Sequence, residues 1–112
     1  LTKIKIGKKN LIVFTKNLKM GENVLVRIKS SDLIVSRALP KDISALNFLR
    51  LQVSHTKLET NLATLYLKFN TGLLKAHITM LSFERLKLKP KDYCFVLIKA
   101  ININEVMSLS LI

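Results

Sequence analysis

Apolar and polar residues alternate along most of this chain. Ile4 and Ile6 point to one side, Gly7-Lys8-Lys9-Asn10 turns the chain, and Leu11-Ile12-Val13-Phe14 runs back, which predicts a hairpin. Asn23 to Lys29 reads as a strand after a turn at Gly21, and Asp32 to Ser36 as a further extended piece. Pro40 interrupts the pattern, so 38–43 reads as a connector. Phe48 to Ser54 alternates more loosely and predicts another strand. Then Leu65, Leu67 and Phe69 alternate with Tyr66 and Lys68, Asn70-Thr71-Gly72 turns, and Leu74, Ala76 and Ile78 alternate with Lys75, His77 and Thr79. That is a second hairpin. One short helix is expected, with Ser82 as N-cap and Phe83-Glu84-Arg85-Leu86 following. Leu88 to Asp92 turns into a strand over Tyr93–Ala100, and Glu105 to Ile112 predicts a last short strand.

The chain also repeats part of itself. Leu18–Ser30 lies over Leu88–Ala100 without a gap: both segments have Leu-Lys, a turn, an acid, an apolar run, and then Ile-Lys and a small residue. An ungapped repeat of this kind marks one supersecondary unit used twice, whose copies bury their apolar faces together. Ile6 matches Phe69 at an offset of 63, and Val24 matches Cys94 at an offset of 70. The extra seven residues are about the size of the short helix, which the first copy is expected to lack, together with an equivalent of the Phe48–Ser54 strand. The expected architecture is mainly β: an OB-like small β-barrel with one short helix over 42–112, preceded by a truncated second copy over 1–37.

The 112 residues suffice for a compact domain with a real core, and a hydrophobic fraction of 49% argues against disorder. Nineteen Lys and Arg against seven Asp and Glu give a formal net charge of +12, which favours anionic partners. Cys94 is the one cysteine, so no disulfide can form within the chain, and a reduced cytoplasmic setting fits. Its place in an apolar run reads as a buried strand position rather than a nucleophile. No apolar run is long enough for a transmembrane helix, and no signal peptide is seen. Leu1 already stands inside a strand-like pattern with no initiator Met before it, so a piece of a longer protein is expected.

Catalytic constellations are missing. Three glycines do not form a phosphate-cradling loop, His55 and His77 have no Cys or carboxylate cluster beside them, and the acids are scattered. The expectation is a binding module, with no catalytic residues and no metal site. Two stretches carry polar chemistry instead. Asp42-Ile43-Ser44-Ala45-Leu46-Asn47-Phe48-Leu49 brings small and polar groups to the start of a strand. Ile78-Thr79-Met80-Leu81-Ser82, with Leu86, Leu88 and Ile98-Lys99-Ala100, supplies hydroxyls, backbone N–H groups and a lysine. Such groups suit a small dianion: hydroxyls donate directionally, a lysine adds a point charge, and small residues let the backbone approach.

The segment Asp42–Ile101 resembles the molybdate-binding Mop, or TOBE, domain. That family reads roughly S-x-R-N-x-L after Thr or Ile, then a hairpin, then I-T-x-x-S-x-x-x-L-x-L, then a turn and a strand ending in I-K and Ala or Ser. The chain matches with Ile43–Leu49, Ile78–Leu88 and Ile98-Lys99-Ala100. Residues 1–37 resemble the segment that precedes this domain in the ATP-binding subunits of molybdate importers, where G-x-x-V-x-V-R-I-x-(A/S)-x-D-(V/L) is typical and Gly21 through Leu33 supply it here. The resemblance implies a cytoplasmic regulatory domain of an ABC importer ATPase, binding molybdate or tungstate and feeding back on transport. It implies a homodimer, with a parent ATPase domain carrying ATP and Mg upstream. A permease subunit would hold the assembly at the inner face of the membrane. Ser44, Ala45, Asn47, Thr79, Ser82, Lys99 and Ala100 fall on the oxyanion motifs, and Lys29 and Ser30 mirror Lys99 and Ala100 in the truncated copy. Leu46 stands where the motif has arginine, removing a guanidinium donor.

Other readings are a ligand-free dimerisation domain of the same ATPase, the sensing half of a molybdate-responsive transcription regulator, a stand-alone molybdate store, and a nucleic-acid-binding OB-like module. The last is the weakest, because aromatics are 6% with no Trp, too few for a stacking platform. The truncated first copy argues against a store. No helix-turn-helix stands in these residues to favour a regulator.

Overall fold

The computed structural model describes the backbone of residues 2–6, 9–13, 23–45, 47–99 and 103–109, and the side chains of 28–45 and 47–99. Five strands form one antiparallel sheet in the order β4 (Ile34–Ser36), β8 (Tyr93–Ile98), β5 (Asn47–Leu58), β6 (Leu62–Phe69), β7 (Gly72–Thr79). Both predicted hairpins form. β1 (Thr2–Ile6) pairs with β2 (Lys9–Val13) as a two-stranded ribbon. The β6–β7 hairpin turns at Asn70, whose φ of 54° lies in the left-handed region that asparagine tolerates better than most residues.

The long central strand makes the sheet curl. The first half of β5 pairs with β8 and its second half with β6, with a register shift between Val53 and His55. A bulge of this kind bends a strand and sharpens its twist. The sequence expectation of Phe48–Ser54 falls short at both ends, because Ser54-His55-Thr56-Lys57 breaks the apolar alternation just where the bulge changes which residues face inward. The segment expected as extended over Asp32–Ser36 is extended from Leu33 and forms the short β4, while Asp32 closes a single 3-10 turn, η1 (Ser30–Asp32), just before it. η1 lies against β7, which brings the ends of the sheet towards each other. This is the curled, mainly-β, OB-like architecture with one short helix that the alternation predicts.

The core fills the inside of the curl. Leu49, Leu51 and Val53 from β5, Leu65 and Leu67 from β6, Ala76 from β7, and Cys94, Val96 and Ile98 from β8 pack with Leu33 and Leu88. Burial alternates along the first half of β5, where Asn47, Leu49, Leu51 and Val53 are buried and Phe48 and Arg50 exposed, as a half-solvated sheet requires. Burial pushes the Cys94 thiol up from 9.0 to about 11, partly offset by the positive charge of Arg37. Because the folded state holds that proton more tightly than the unfolded chain, the stabilisation is complete below pH 9 and is lost as pH rises through about 11. Unfolding midpoints measured from pH 8 to 11 are therefore expected to fall, and a Cys94→Ala variant to fall less steeply.

The repeat reappears as reciprocal pairing. β3 (Asn23–Ile28) and β8 occupy equivalent positions, 70 residues apart. β3 pairs with β9 (Ile103–Leu109), the strand after β8, while β8 pairs with β4, the strand after β3. The registers agree as well. Ile28 faces Ile103, and shifting this pair by the repeat sets position 98 against position 33, one step along the register in which Leu97 faces Ile34. Two strands within 1–37, β3 and β4, thus pair with two strands within 42–112, β9 and β8. The expected turn at Gly21 and the end of the last strand, 110–112, lie outside the described residues.

Candidate functional site

The predicted site residues fall into two groups. The first lies where β5 begins and β8 ends. Asn47 opens β5 directly opposite Ile98, the last residue of β8. It is 3% exposed and its Nδ2 donates to the Ile98 carbonyl at 3.1 Å, stitching the two strand ends together. Ala45 is buried just before it, Ser44 is exposed, and Lys99 follows Ile98 directly and is exposed. One buried amide thus ties the strand end that follows Ser44 and Ala45 to the strand end that Lys99 follows. Leu46 and Ala100 lie outside the described residues.

The second group lies where β7 ends. Thr79 pairs with Leu62, the first residue of β6, beside the far end of β5. It passes without a loop into α1 (Met80–Leu86). The expected N-cap, Ser82, is corrected here: Thr79 is the cap. Its extended backbone carries the strand up to the helix, and its Oγ1 accepts the Ser82 N–H at 3.1 Å. Thr79 Oγ1 also donates to Ser82 Oγ at 3.0 Å. Met80 and Leu81 form the first turn of the helix. The two hydroxyls are thereby held as a pair, with Thr79 exposed and Ser82 half-buried.

β5 separates the groups by its full 12 residues, about 36 Å along the strand at the rise of a β-strand. Asn47 and Thr79 thus belong to opposite ends of the β5–β6–β7 meander. The third element, Lys29 and Ser30 of the truncated copy, stands at η1 against β7; Lys29 is exposed and Ser30 half-buried.

The histidines join neither group. His55 stacks on Tyr66 with ring centroids 4.2 Å apart and takes a hydrogen bond with Ser54 Oγ at 3.1 Å, and His77 faces Thr64 across the β6–β7 pair. Among the described residues no group of three His, Cys, Asp or Glu side chains converges as a metal site would.

Arg37 was not singled out by the pattern. It follows β4, and its guanidinium donates from Nε to the Leu86 carbonyl and from Nη2 to the Lys87 carbonyl at 2.5 Å. Those are the last carbonyls of α1, where Lys87, with φ 53°, ends the helix. Nη2 also stands 3.6 Å from Asp92 Oδ2, which accepts the Lys89 N–H at 2.9 Å. A lone arginine after a three-residue strand carries no sequence pattern that would reveal this contact over 49 residues.

A curled antiparallel sheet with one short helix, hydroxyls and a lysine at its strand ends defines a small binding module of OB-like type. Residues 43–103 match the family described as the TOBE domain, and the chain belongs to it. TOBE domains bind rather than catalyse, in line with the lack of catalytic constellations in the sequence. The chain is 31% identical over 86 residues to the molybdenum import ATP-binding protein ModC of Rhizobium johnstonii, a match covering 75% of this chain and 24% of that protein. It therefore spans about a quarter of that relative's length. The fold is similar to a solved structure of the cytoplasmic molybdate-binding protein ModG with molybdate bound, with a TM-score of 0.68 and 23% identity over 73% of this chain and 60% of that one.

Proposed function

We propose that this chain is the oxyanion-binding regulatory domain of a cytoplasmic importer ATPase, taking molybdate or tungstate. The observation that supports this reading is the buried Asn47–Ile98 tie, which joins the two strand ends that Ser44 and Ala45 precede and Lys99 follows. A tetrahedral dianion needs a point charge, hydroxyl donors and close backbone approach, and that end offers all three. The relatives support the ligand class: one named for molybdenum import, the other for molybdate binding.

The two groups complement each other rather than meet within one barrel. Ser44, Ala45, Asn47, Lys99 and Ala100 form one half-site, and Thr79 with Ser82 the other. A second copy of the chain, as a homodimer, would bring the halves together. Residues 1–37, read as a truncated copy, offer Lys29 and Ser30 as a stand-in for Lys99 and Ala100. Occupancy that favours one arrangement of the dimer over another would regulate transport, because a ligand shifts an equilibrium only through its differential affinity for the two states. ATP and Mg would belong to a parent ATPase domain, and attachment to the membrane would run through a permease partner. A ligand-free dimerisation domain is the second reading. Leu46 in place of the motif arginine favours it, as do the exposed apolar side chains of Ile34, Phe48 and Leu81.

Molybdate uptake by the unaltered chain separates the two, and Lys99→Ala tests the lysine's place in the site. Loss of one charge-assisted contact is worth about 1.5–3 kcal/mol, or roughly a 10- to 150-fold loss of affinity. Equilibrium dialysis with molybdate is expected to show that loss while the unfolding midpoint stays within about a degree, since Lys99 is exposed. Unchanged affinity in the variant would remove Lys99 from the site.

A further inference from the structure

The charged side chains of the sheet all have one sign. β5, β6, β7 and β8 contain Arg50, Lys57, Lys68 and Lys75, and no Asp or Glu. All four cations are exposed, on the face that points away from the core. The acids that adjoin these strands stand in turns: Glu59 between β5 and β6, and Asp92, already engaged by Arg37, before β8. The bulge in β5 adds to this face. Leu49, Leu51 and Val53 point into the core, but past Val53 the register shift sets His55 opposite Tyr66 and Lys57 opposite Thr64. Without the extra residue Ser54 would oppose Tyr66, and His55 would turn inward beside Leu65. The bulge thus re-aims an imidazole and an ammonium onto the outer face. There His55 stacks on Tyr66, ring centroids 4.2 Å apart and planes 10° apart. Lys75, opposite Tyr66 on the other side, holds its Nζ 5.6 Å from the same ring. Three residues back along β5, Gln52 faces Tyr93, whose ring carries the Arg50 guanidinium 3.9 Å from its centroid.

We propose that this outer face, centred on the His55–Tyr66–Lys75 row, binds single-stranded nucleic acid. It is a second binding surface and does not depend on the oxyanion reading. Exposed cations follow the phosphates, and aromatic and guanidinium planes give bases surfaces to stack on. Seven aromatics are few for the whole chain, but their placement concentrates them. Phe69 and Phe83 pack against the core, while Phe48, Tyr66, Tyr93 and Phe95 share the outer face. Other occupants fit less well. A second copy would set this cationic face against itself. An anionic bilayer needs aliphatic side chains to insert, and β6 and β7 expose one large one, Leu73. An acidic peptide would engage the cations and leave the stacked rings unused.

The test is fluorescence anisotropy of a labelled oligothymidine of about 15 nucleotides, titrated with the full chain at several salt concentrations. Neutralising about three phosphates gives a slope of about −2 in log affinity against log salt. Lys75→Gln is expected to lessen that slope by about 0.7. Tyr66→Leu is expected to weaken binding about 5- to 150-fold with the slope kept. Tyr66→Phe keeps the ring and the fold, and is expected to bind like the unaltered chain. An abasic strand of the same length is expected to bind as weakly as the oligothymidine binds the Tyr66→Leu variant. No binding at low salt would overturn the proposal. Equal affinity for the abasic strand would also overturn it, leaving a face that attracts any polyanion. Tighter capture by phosphatidylglycerol vesicles would overturn it in favour of a lipid surface. None of these outcomes depends on molybdate.

Discussion

Leu65→Ala is expected to lower the unfolding free energy by about 2–5 kcal/mol. Leu65 lies near the middle of β6, fully buried, between Thr56 of β5 and Ala76 of β7. Its neighbours along the inner face are Ala63 and Leu67, so one adjacent position is already small and has no side chain to swing into the gap. The backbone on both sides is held by strand ladders and cannot collapse inward. The cost is then the lost transfer energy of the side chain plus the cavity it leaves. A domain of this size has about 5–15 kcal/mol in total, so this one change consumes much of it. Chemical denaturation is expected to show a lower midpoint with an unchanged slope. A loss under about 1 kcal/mol would mean that the interior of the curl is not close-packed around β6.

The second large effect is expected at Asn47. Asn47→Ala removes the donor to the Ile98 carbonyl at a site only 3% exposed. An acceptor left buried without its partner costs about 1–3 kcal/mol. The loss is also functional, because the same bond sets the spacing between the start of β5 and Lys99. Molybdate binding is expected to weaken even well below the unfolding temperature. Asn47→Asp sharpens the test, since a carboxylate there would face a carbonyl oxygen instead of donating to it. Burial and that acceptor raise the folded carboxyl above its unfolded range, so the neutral form is the one the fold tolerates. Stability of the Asp variant is then expected to be best at low pH and to fall as pH rises towards neutrality. Unfolding curves from pH 4 to 7 check the sign; a variant that gains stability with pH would contradict the placement of the amide.

Much of the architecture is legible in the sequence, for identifiable reasons. Period-two alternation reads off the second half of β6 and β7, while β8 reads as an apolar run because Val96, Leu97 and Ile98 are all buried in the middle of the sheet. The seven-residue difference between the two repeat offsets equals the length of α1. The start of that helix is read three residues late, because Thr79 and Ser82 both have a hydroxyl and only geometry shows which one accepts. The bulge in β5 and the 3-10 turn at Ser30–Asp32 are invisible to a periodicity argument, since each is one register step in a polar stretch. Partition of the site residues into two groups is likewise a matter of strand direction, which the motifs do not encode. Arg37 depends on a contact between distant segments, and the reciprocal exchange of β4 and β9 on pairing between copies.

The function proposed for this TOBE domain turns on whether it takes up a molybdate-class oxyanion. Calorimetric titration of the chain with molybdate, with sulfate as control, tests it most directly. Saturable heat with molybdate and far weaker uptake of sulfate are expected. No heat with either anion would contradict it and leave the domain as a dimerisation element.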